Sequence, residues 1–174
     1  MKTIIKEIKV YQFDELTEEA KQKVLDKLVS INIQFDWREG IYYDAKQIGL
    51  QIESFDLDRN RHATGSFLLS ACEVAANIFK EHGEDCETYK TASIFMNDWQ
   101  PLFNDYMDEE SENYESRDIE EKLQSYENDF LNDILECYSI MLQKEYEYLQ
   151  TDEAIKETIE ANDYEFTEDG EIYS

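Results

Sequence analysis

The chain has 174 residues and a formal net charge of −26, with 41% hydrophobic and 13% aromatic residues. A chain of this length can form one domain with a core, because such a body buries about 70% of the surface that its unfolded form exposes. The apolar content excludes a wholly disordered acidic chain, and the charge disfavours direct binding to nucleic acid or anionic lipid, which depends on Lys and Arg.

Residues 3–48 are predicted to form one strand and two helices. Thr3–Phe13 alternates at a period of two and is rich in β-branched residues, which predicts a strand. Thr17 is the expected N-cap of a helix that has acids in its first turn and ends near Asn32. A second helix is predicted over Phe35–Ile48, where apolar residues lie three and four apart, and Gly49 supplies a left-handed stop.

A β-hairpin and a third helix are predicted next. Leu50–Leu57 reads as a strand, the polar segment Asp58–His62 as a turn, and Ala63–Leu69 as the returning strand. Ser70–His82 has helical spacing, and Gly83 is expected to close this helix.

Two long helices are predicted in the second half of the chain. Thr88–Met107 has a helical pattern, and Pro101 is expected to interrupt the helix or restart it near Gln100, because proline lacks the backbone N–H. Asp108–Asp118 carries many acids and one large apolar anchor, which predicts a solvated loop. The longest helix is predicted over Arg117–Leu149, whose apolar stripe recurs at intervals of three and four and is expected to be core.

The C-terminus is predicted to add a short helix and a hairpin. Thr151 caps the helix, which ends near Asn162. Tyr164–Phe166 and Glu171–Tyr173 flank the Asp169-Gly170 turn and form a terminal hairpin or an edge strand. The elements together predict an α+β fold, in which a small antiparallel sheet packs against several helices, including one long acidic C-terminal helix.

The charge is unevenly distributed along the sequence. Met1–His62 has twelve acids against ten Lys and Arg, whereas Ala63–Ser174 has thirty acids against six. We therefore predict a single domain with a near-neutral, strand-rich scaffold over residues 1–69 and an acidic helical part over residues 70–174. Because so many like charges repel one another, the acidic part indicates a strongly positive partner.

Localisation and thiol chemistry follow from two further features. No stretch approaches the roughly 20 apolar residues of a membrane span, and Met1–Tyr11 alternates and contains Lys, unlike a signal peptide. We expect a cytoplasmic protein that does not bind membranes. Cys72, Cys86 and Cys137 are odd in number and widely spaced, which fits neither a disulfide framework nor a zinc ribbon. Reduced, inert thiols are expected.

One segment has features of a metal-binding loop. Asp56 and Asp58 place carboxylates at alternate positions, as a calcium loop does, but the glycine of the sixth position is Arg61 and the glutamate of the twelfth is Phe67. A looser divalent-metal site, with a carboxylate from elsewhere, is an alternative, and such a cluster can support phosphodiester cleavage. Apart from this alternative, no cofactor is expected.

The sequence does not contain a familiar catalytic motif. His62 and His82 are the only histidines, and neither lies in a zinc-ligand pattern or a Ser-His-Asp arrangement. None of the five glycines lies in a phosphate-cradling loop. No catalytic residue is assigned, and a binding function is favoured over an enzymatic one.

The candidate partner-binding site is a set of acids on the predicted loop and the longest helix. Carboxylates one or two helical turns apart lie roughly 5 to 11 Å from each other along the axis, a range that includes the spacing of phosphates on one DNA strand. Such a face can occupy a groove built for nucleic acid, and a merely solvated face is the simpler alternative. We call this set the acidic surface: Asp108, Glu109, Glu110, Glu112, Asp118, Glu121, Asp129, Asp133 and Glu136.

Six segments of the chain together carry a resemblance to known proteins: Phe13–Leu16, Glu19–Lys21, Tyr43–Leu50, Phe55–Arg59, Met141–Leu149 and Tyr164–Gly170. These segments resemble a family of small acidic proteins of phages, prophages and mobile elements, mostly without assigned activity. Some members look similar to inhibitors of RNA-guided type II CRISPR nucleases. The resemblance implies an accessory protein that acts against host machinery, and it assigns no catalytic residue.

The functional prediction is an anti-defence protein whose acidic surface mimics DNA or RNA in the basic channel of a host nuclease, such as a CRISPR nuclease. Two alternatives stay open. One is a metal-dependent, nuclease-like protein that acts on guide RNA and holds its metal with Asp56 and Asp58. The other is an acidic binding module or antitoxin that masks a basic partner.

Overall fold

The computed structural model of the chain describes residues 7–173 and confirms the predicted α+β class. Six α-helices and a two-stranded antiparallel sheet lie in this part of the chain. None of these helices is both long enough and apolar enough to cross a membrane. In chain order the elements are α1 (Glu18–Leu28), α2 (Glu39–Ile48), β1 (Leu50–Asp56), β2 (His62–Phe67), α3 (Ala71–Glu81), α4 (Glu87–Met107), α5 (Arg117–Leu149) and α6 (Asp152–Ala161).

The chain divides into two compact units. The terminal unit combines residues 1–37 with residues 144–174, and the central unit comprises residues 38–143. Helix α5 therefore contributes residues 117–143 to the central unit and its last turns to the terminal unit. Whether the chain unfolds as the single predicted domain stays a prediction.

The terminal unit is built on two capped helices. Thr17 Oγ1 accepts the Ala20 N–H at 3.3 Å at the start of α1, and Thr151 Oγ1 accepts the Ala154 N–H at 3.3 Å at the start of α6, as predicted. Each cap satisfies a backbone donor that the helix itself leaves unpaired. The buried core of this unit consists of Phe13, Leu16, Ala20, Val24, Leu25, Ile31, Ile155, Ile159 and Phe166.

The predicted N-terminal strand is wrong for residues 7–13, and its first residues lie outside the described part. Tyr11 forms one isolated antiparallel bridge with Phe166, through N···O distances of 2.8 and 2.9 Å. Ile8 and Val10 are exposed. The alternating pattern of this segment therefore does not correspond to the buried face of a sheet. The chain then enters a 3₁₀ turn at Phe13–Glu15, which buries Phe13 against the Phe166 ring.

The predicted terminal hairpin is reduced in the same way. Phe166 bridges Ile172 on its other side, but neither segment extends into a strand. Two positive backbone angles, 51° at Asp163 and 81° at Gly170, turn the chain on both sides of Phe166. The extended pieces between these turns are therefore too short for a ladder.

Two helix boundaries also differ from the prediction. Helix α1 ends at Leu28 and does not reach Asn32, whose side-chain amide forms tertiary hydrogen bonds. Asn32 Nδ2 donates to the Leu149 carbonyl at 3.0 Å, and Thr158 Oγ1 donates to Asn32 Oδ1 at 2.6 Å. Helix α2 begins at Glu39 and not at Phe35, whose side chain is 76% exposed.

The hairpin and the stop before it are confirmed in the central unit. Gly49 ends α2 in a left-handed conformation with φ of 92°, and its N–H points at the carbonyls of Ala45 and Lys46. Strands β1 and β2 pair from Leu50 opposite Phe67 to Asp56 opposite His62, with one bulge after Ile52. At Gly65 the neighbouring backbone leaves no room for a side chain, because a Cβ atom would lie 2.2 Å from the Gln51 carbonyl oxygen.

Helix α4 continues through Pro101, which corrects the predicted interruption. Pro101 removes one backbone donor, but aromatic contacts span the position. Trp99 lies 5.9 Å from Phe95 and stacks on Phe103 at 4.4 Å, measured between ring centroids. Packing on both sides of the proline therefore keeps the helix in one piece.

The core of the central unit consists of buried side chains from strand β1 and from helices α2 to α5. Phe95 and Phe130 stack at its centre, with ring centroids 4.3 Å apart and planes inclined by 7°. The apolar stripe of α5 is thus core, as predicted. The buried members are Ala45, Ile48, Leu50, Ile52, Ala71, Val74, Ala75, Ile78, Ala92, Phe95, Trp99, Leu123, Phe130, Ile134, Leu135 and Tyr138.

Candidate functional site

All nine residues of the acidic surface are exposed. Four of them, Asp108, Glu109, Glu110 and Glu112, lie on the loop between α4 and α5. The remaining five, Asp118, Glu121, Asp129, Asp133 and Glu136, lie along α5. The part of the chain that the structure describes thus presents these carboxylates to solvent.

The loop between α4 and α5 is held by hydrogen bonds. Asp105 Oδ1 accepts the Ser111 hydroxyl and Asp105 Oδ2 accepts the Asn113 amide, each at 2.6 Å. The Ser111 bond, and then the Asn113 bond, lower the pKa of Asp105. The Glu115 N–H also donates to the Tyr106 carbonyl at 3.0 Å. The acids of this loop therefore stand on an ordered backbone.

Two acids of α5 are compensated by cations of the central unit. Glu121 pairs with Arg117 at 3.0 Å, one turn earlier on the same helix. Glu136 pairs with Arg61, whose guanidinium also donates to Ser139 Oγ at 3.1 Å and to Gln143 Oε1 at 2.8 Å. The acidic surface is therefore less uniform than its sequence indicates.

Asp129 and Asp133 line a recess of about 190 Å³ between α4 and α5. Asp98 of α4 contributes a third carboxylate to the lining, and Tyr126 and Ile94 supply apolar surface. No described Lys or Arg forms an ion pair with any of the three aspartates. We call this feature the α4–α5 recess.

The Tyr126 ring at the recess also faces a cation of the chain itself. Lys122 Nζ lies 5.8 Å from the ring centroid, within the range of a cation–π contact. Lys122 and Tyr126 line a neighbouring depression together with Asp98 and Asp105. This part of the surface thus combines carboxylates and an aromatic face, the groups that receive Lys and Arg side chains.

Sequence reasoning missed Asp98, because it considered acids only on the loop and on the longest helix. Asp98 follows exposed Ile94 by one helical turn on α4. The sequence predicts that this segment is helical. It does not predict that α5 packs beside it and brings Asp129 and Asp133 close to Asp98.

Asp56 and Asp58, the predicted metal pair, lie at the tip of the hairpin and line an open depression with Arg59 and Asn60. Asp56 Oδ1 accepts the Asp58 N–H at 2.7 Å, so part of this carboxylate is used in the turn itself. No group of three or more His, Cys, Asp or Glu able to hold a metal ion occurs within residues 7–173. The third carboxylate that the metal alternative requires is therefore not brought to this pair by the described residues.

The two histidines lie in different environments. His62 is exposed, and its Nδ1 lies 2.8 Å from the Asn60 carbonyl. His82 follows the last residue of α3, its side chain is 9% exposed, and its Nδ1 lies 2.7 Å from Thr88 Oγ1. His82 Nε2 lies 3.4 Å from Asp44 Oδ1, with geometry that does not make a hydrogen bond. A buried imidazole was not predicted from the sequence.

Asp44 connects His82 to a buried tyrosine. The Tyr138 hydroxyl donates to Asp44 Oδ2 at 2.6 Å, and Tyr138 is fully buried. The imidazole of His82 lowers the pKa of Asp44 most, and the Tyr138 bond adds to this effect against the opposing effect of burial. Burial, together with the Asp44 carboxylate, raises the pKa of Tyr138. Asp44 is thus held in its ionised form.

The three cysteines are free thiols, in agreement with their spacing. Cys72 and Cys137 are partly buried, and burial raises the pKa of both thiols. Cys86 is exposed immediately before α4, so the expected thiol burial does not extend to this residue.

No family model matches the chain, and neither a curated protein nor a solved structure matches it at a significant level.

Proposed function

We propose that this chain is a phage-type anti-defence protein that inhibits a host nuclease, such as a CRISPR nuclease, by occupying its basic nucleic-acid channel. The acidic surface and the α4–α5 recess would contact the Lys and Arg residues that otherwise hold DNA or RNA. Such action places the protein in the host cytosol.

The observation that carries this proposal is the α4–α5 recess. Asp98, Asp129 and Asp133 surround an apolar and aromatic surface, and no described Lys or Arg pairs with them. A planar guanidinium can donate hydrogen bonds to two carboxylates while its face packs on an aromatic ring. The recess is therefore better suited to bind an arginine of a nucleic-acid channel than a flat, fully solvated acidic face is.

The exposed loop supplies a second contact region. The acids of this loop are held on an ordered backbone. Binding through the loop would therefore cost less conformational entropy than binding through a disordered acidic tail. Interaction of exposed charges is screened by salt, with a Debye length of about 10 Å at 0.1 M. Inhibition that depends on this surface should accordingly weaken as salt rises.

The test uses the purified protein with a type II RNA-guided nuclease and its guide. Asp98→Asn, Asp129→Asn and Asp133→Asn are combined in one variant, and Glu109→Gln, Glu110→Gln and Glu112→Gln in another. A matched control removes three exposed charges elsewhere: Glu160→Gln, Asp163→Asn and Glu168→Gln.

We expect each test variant to weaken inhibition of DNA binding by about tenfold, because three charge contacts of modest strength are lost. The control variant should inhibit as the parent does. Full inhibition by both test variants at low and high salt would overturn the charge mechanism.

A parallel arm addresses the guide RNA. Labelled guide is incubated with the protein, with and without the nuclease and with and without EDTA. Intact RNA combined with lost DNA binding supports mimicry, whereas metal-dependent shortening of the RNA would replace it with the enzymatic alternative.

A further inference from the structure

The central unit contains a second pocket, which shares no residue with the acidic surface. Its volume is about 390 Å³, within the range of small-molecule sites. Asp44 comes from α2, His82 follows α3, Thr88 lies in the first turn of α4, and Cys137 and Met141 come from α5. Four helices thus place polar groups and a thiol and thioether wall around one space.

The feature that indicates a ligand is a buried nitrogen without a partner. His82 is nine-tenths buried and lines the pocket, and its Nε2 has no hydrogen-bond partner among the described residues. Buried polar atoms are otherwise almost always paired. The other ring nitrogen, Nδ1, is already engaged with Thr88 Oγ1 at 2.7 Å.

Asp44 presents a complementary oxygen beside this nitrogen. Its Oδ2 accepts the Tyr138 hydroxyl, which leaves Oδ1 facing His82 Nε2 at 3.4 Å. The neutral imidazole has two tautomers. The one with its proton on Nε2 turns a donor toward Asp44 and lowers the pKa of that carboxyl, whereas the one with its proton on Nδ1 donates to Thr88 and leaves Nε2 as an acceptor. The site proposed below uses the second tautomer. Two acceptors then lie side by side with no donor between them, and one nitrogen carrying several hydrogens can lie about 2.9 Å from both.

We propose that this pocket binds a primary ammonium group carried on a short apolar chain. Asp44 Oδ1 and His82 Nε2 accept its N–H groups, and the side chains of Cys137 and Met141 contact its methylenes. Glu81 and Glu87 add negative charge to the lining, although each also pairs with a lysine outside the pocket. A free alkylamine and a lysine side chain share this chemistry.

The chain provides its own internal control for the binding experiment. It has only two histidines, and His62 is exposed on the hairpin. The probe is n-butylamine, titrated while the imidazole resonances are followed by NMR. We expect a saturable shift of the His82 signals and no saturable shift at His62. The neutral isostere 1-butanol should leave both unchanged. Absence of a saturable His82 shift with butylamine would overturn the proposal.

Asp44→Asn tests the charge while keeping an oxygen that can accept the Tyr138 hydroxyl. Loss of a charge-assisted contact should weaken butylamine binding by about tenfold or more. The control Asp58→Asn removes an exposed carboxylate beside the His62 hairpin and should bind as the parent does. Equal affinity of the two variants would contradict the assigned role of Asp44.

A last arm separates the two sources of the ammonium group. N-acetyl-lysine methylamide carries the same group on a capped backbone. Affinity equal to that of butylamine assigns the pocket to a lysine of a partner protein, and loss of binding assigns it to a free alkylamine.

Discussion

The terminal and central units carry nearly the same density of negative charge, although the two ends of the sequence do not. The terminal unit has eighteen acids and eight Lys and Arg over 68 residues, and the central unit has twenty-four and eight over 106 residues. The near-neutral first residues share a unit with the acidic C-terminus. Folding thus evens out an asymmetry that is conspicuous along the chain.

What distinguishes the units is the placement of the acids. Ion pairs offset part of the charge in both units, such as Lys27 with Glu171 in the terminal unit and Arg61 with Glu136 in the central unit. In the central unit, three aspartates surround the α4–α5 recess without such pairs among the described residues. The comparison teaches that local geometry, and not total charge, selects the candidate surface.

The largest expected effect comes from opening a cavity in each core. Ile134→Ala in the central unit and Ile155→Ala in the terminal unit should each cost about 2–5 kcal/mol of unfolding free energy, since both side chains are buried. If the chain is one domain, both variants shift a single calorimetric transition. Two transitions, each moved by only one variant, would contradict the single-domain prediction.

A smaller loss is expected from Tyr138→Phe in the central unit. The change leaves Asp44 Oδ2 without its donor and should cost about 1–3 kcal/mol at neutral pH, measured by urea denaturation. Phe keeps the ring, so packing is largely retained. An unchanged midpoint would show that the bond contributes nothing to stability.

The same variant should be less sensitive to acid. The pKa of Asp44 is lowered in the folded protein, so its contribution to stability is present above the ordinary value of 3.8 and is lost as the pH falls through the lower folded value. Tyr138→Phe removes one cause of that lowering. The stability difference between parent and variant should therefore shrink below about pH 4, and a difference that grows there would contradict this linkage.

Helix caps offer a matched comparison of about 1 kcal/mol. Ser70→Ala removes the capping box of α3, where Ser70 and Glu73 bond reciprocally, and Thr151→Ala removes the cap of α6. In a protein of this size, each should lower the thermal midpoint by about 2–4 °C. A shift confined to Ser70→Ala would mean that α6 unfolds outside the main transition.

The smallest effect concerns salt. Screening relieves repulsion between like charges, so raising the salt concentration from about 0.05 to about 0.5 M should stabilise the fold by less than about 1 kcal/mol. The variant that neutralises Asp98, Asp129 and Asp133 should gain less from salt than the parent does. A larger gain in that variant would contradict repulsion at the recess.

Local signals predicted much of the fold. The predicted N-caps Thr17 and Thr151 and the predicted helix stop Gly49 are found at those positions. The apolar stripe of α5 is its buried face. The prediction of an N-terminal strand was wrong, because an alternating pattern does not by itself provide a neighbouring strand to pair with. The pairing of Tyr11 with Phe166 is a single isolated bridge. Pro101 failed as a breaker because ring stacking spans it.

The candidate sites were less predictable, because they join residues far apart in the sequence. The acids of the loop and α5 could be identified from composition, but Arg61 reaches Glu136 across 75 positions. Asp44, His82 and Tyr138 likewise come from three elements whose packing no local pattern encodes. Tertiary contact therefore supplies the information that spacing lacks.

The two tryptophans of the chain fall one in each unit. Trp37 packs against Tyr146 in the terminal unit, with ring centroids 5.7 Å apart, and Trp99 stacks within the core of the central unit. The Trp99 indole nitrogen is buried without a partner among the described residues, so its emission should lie to the blue of Trp37 emission. Intrinsic fluorescence can thus report on each unit separately, without an added label.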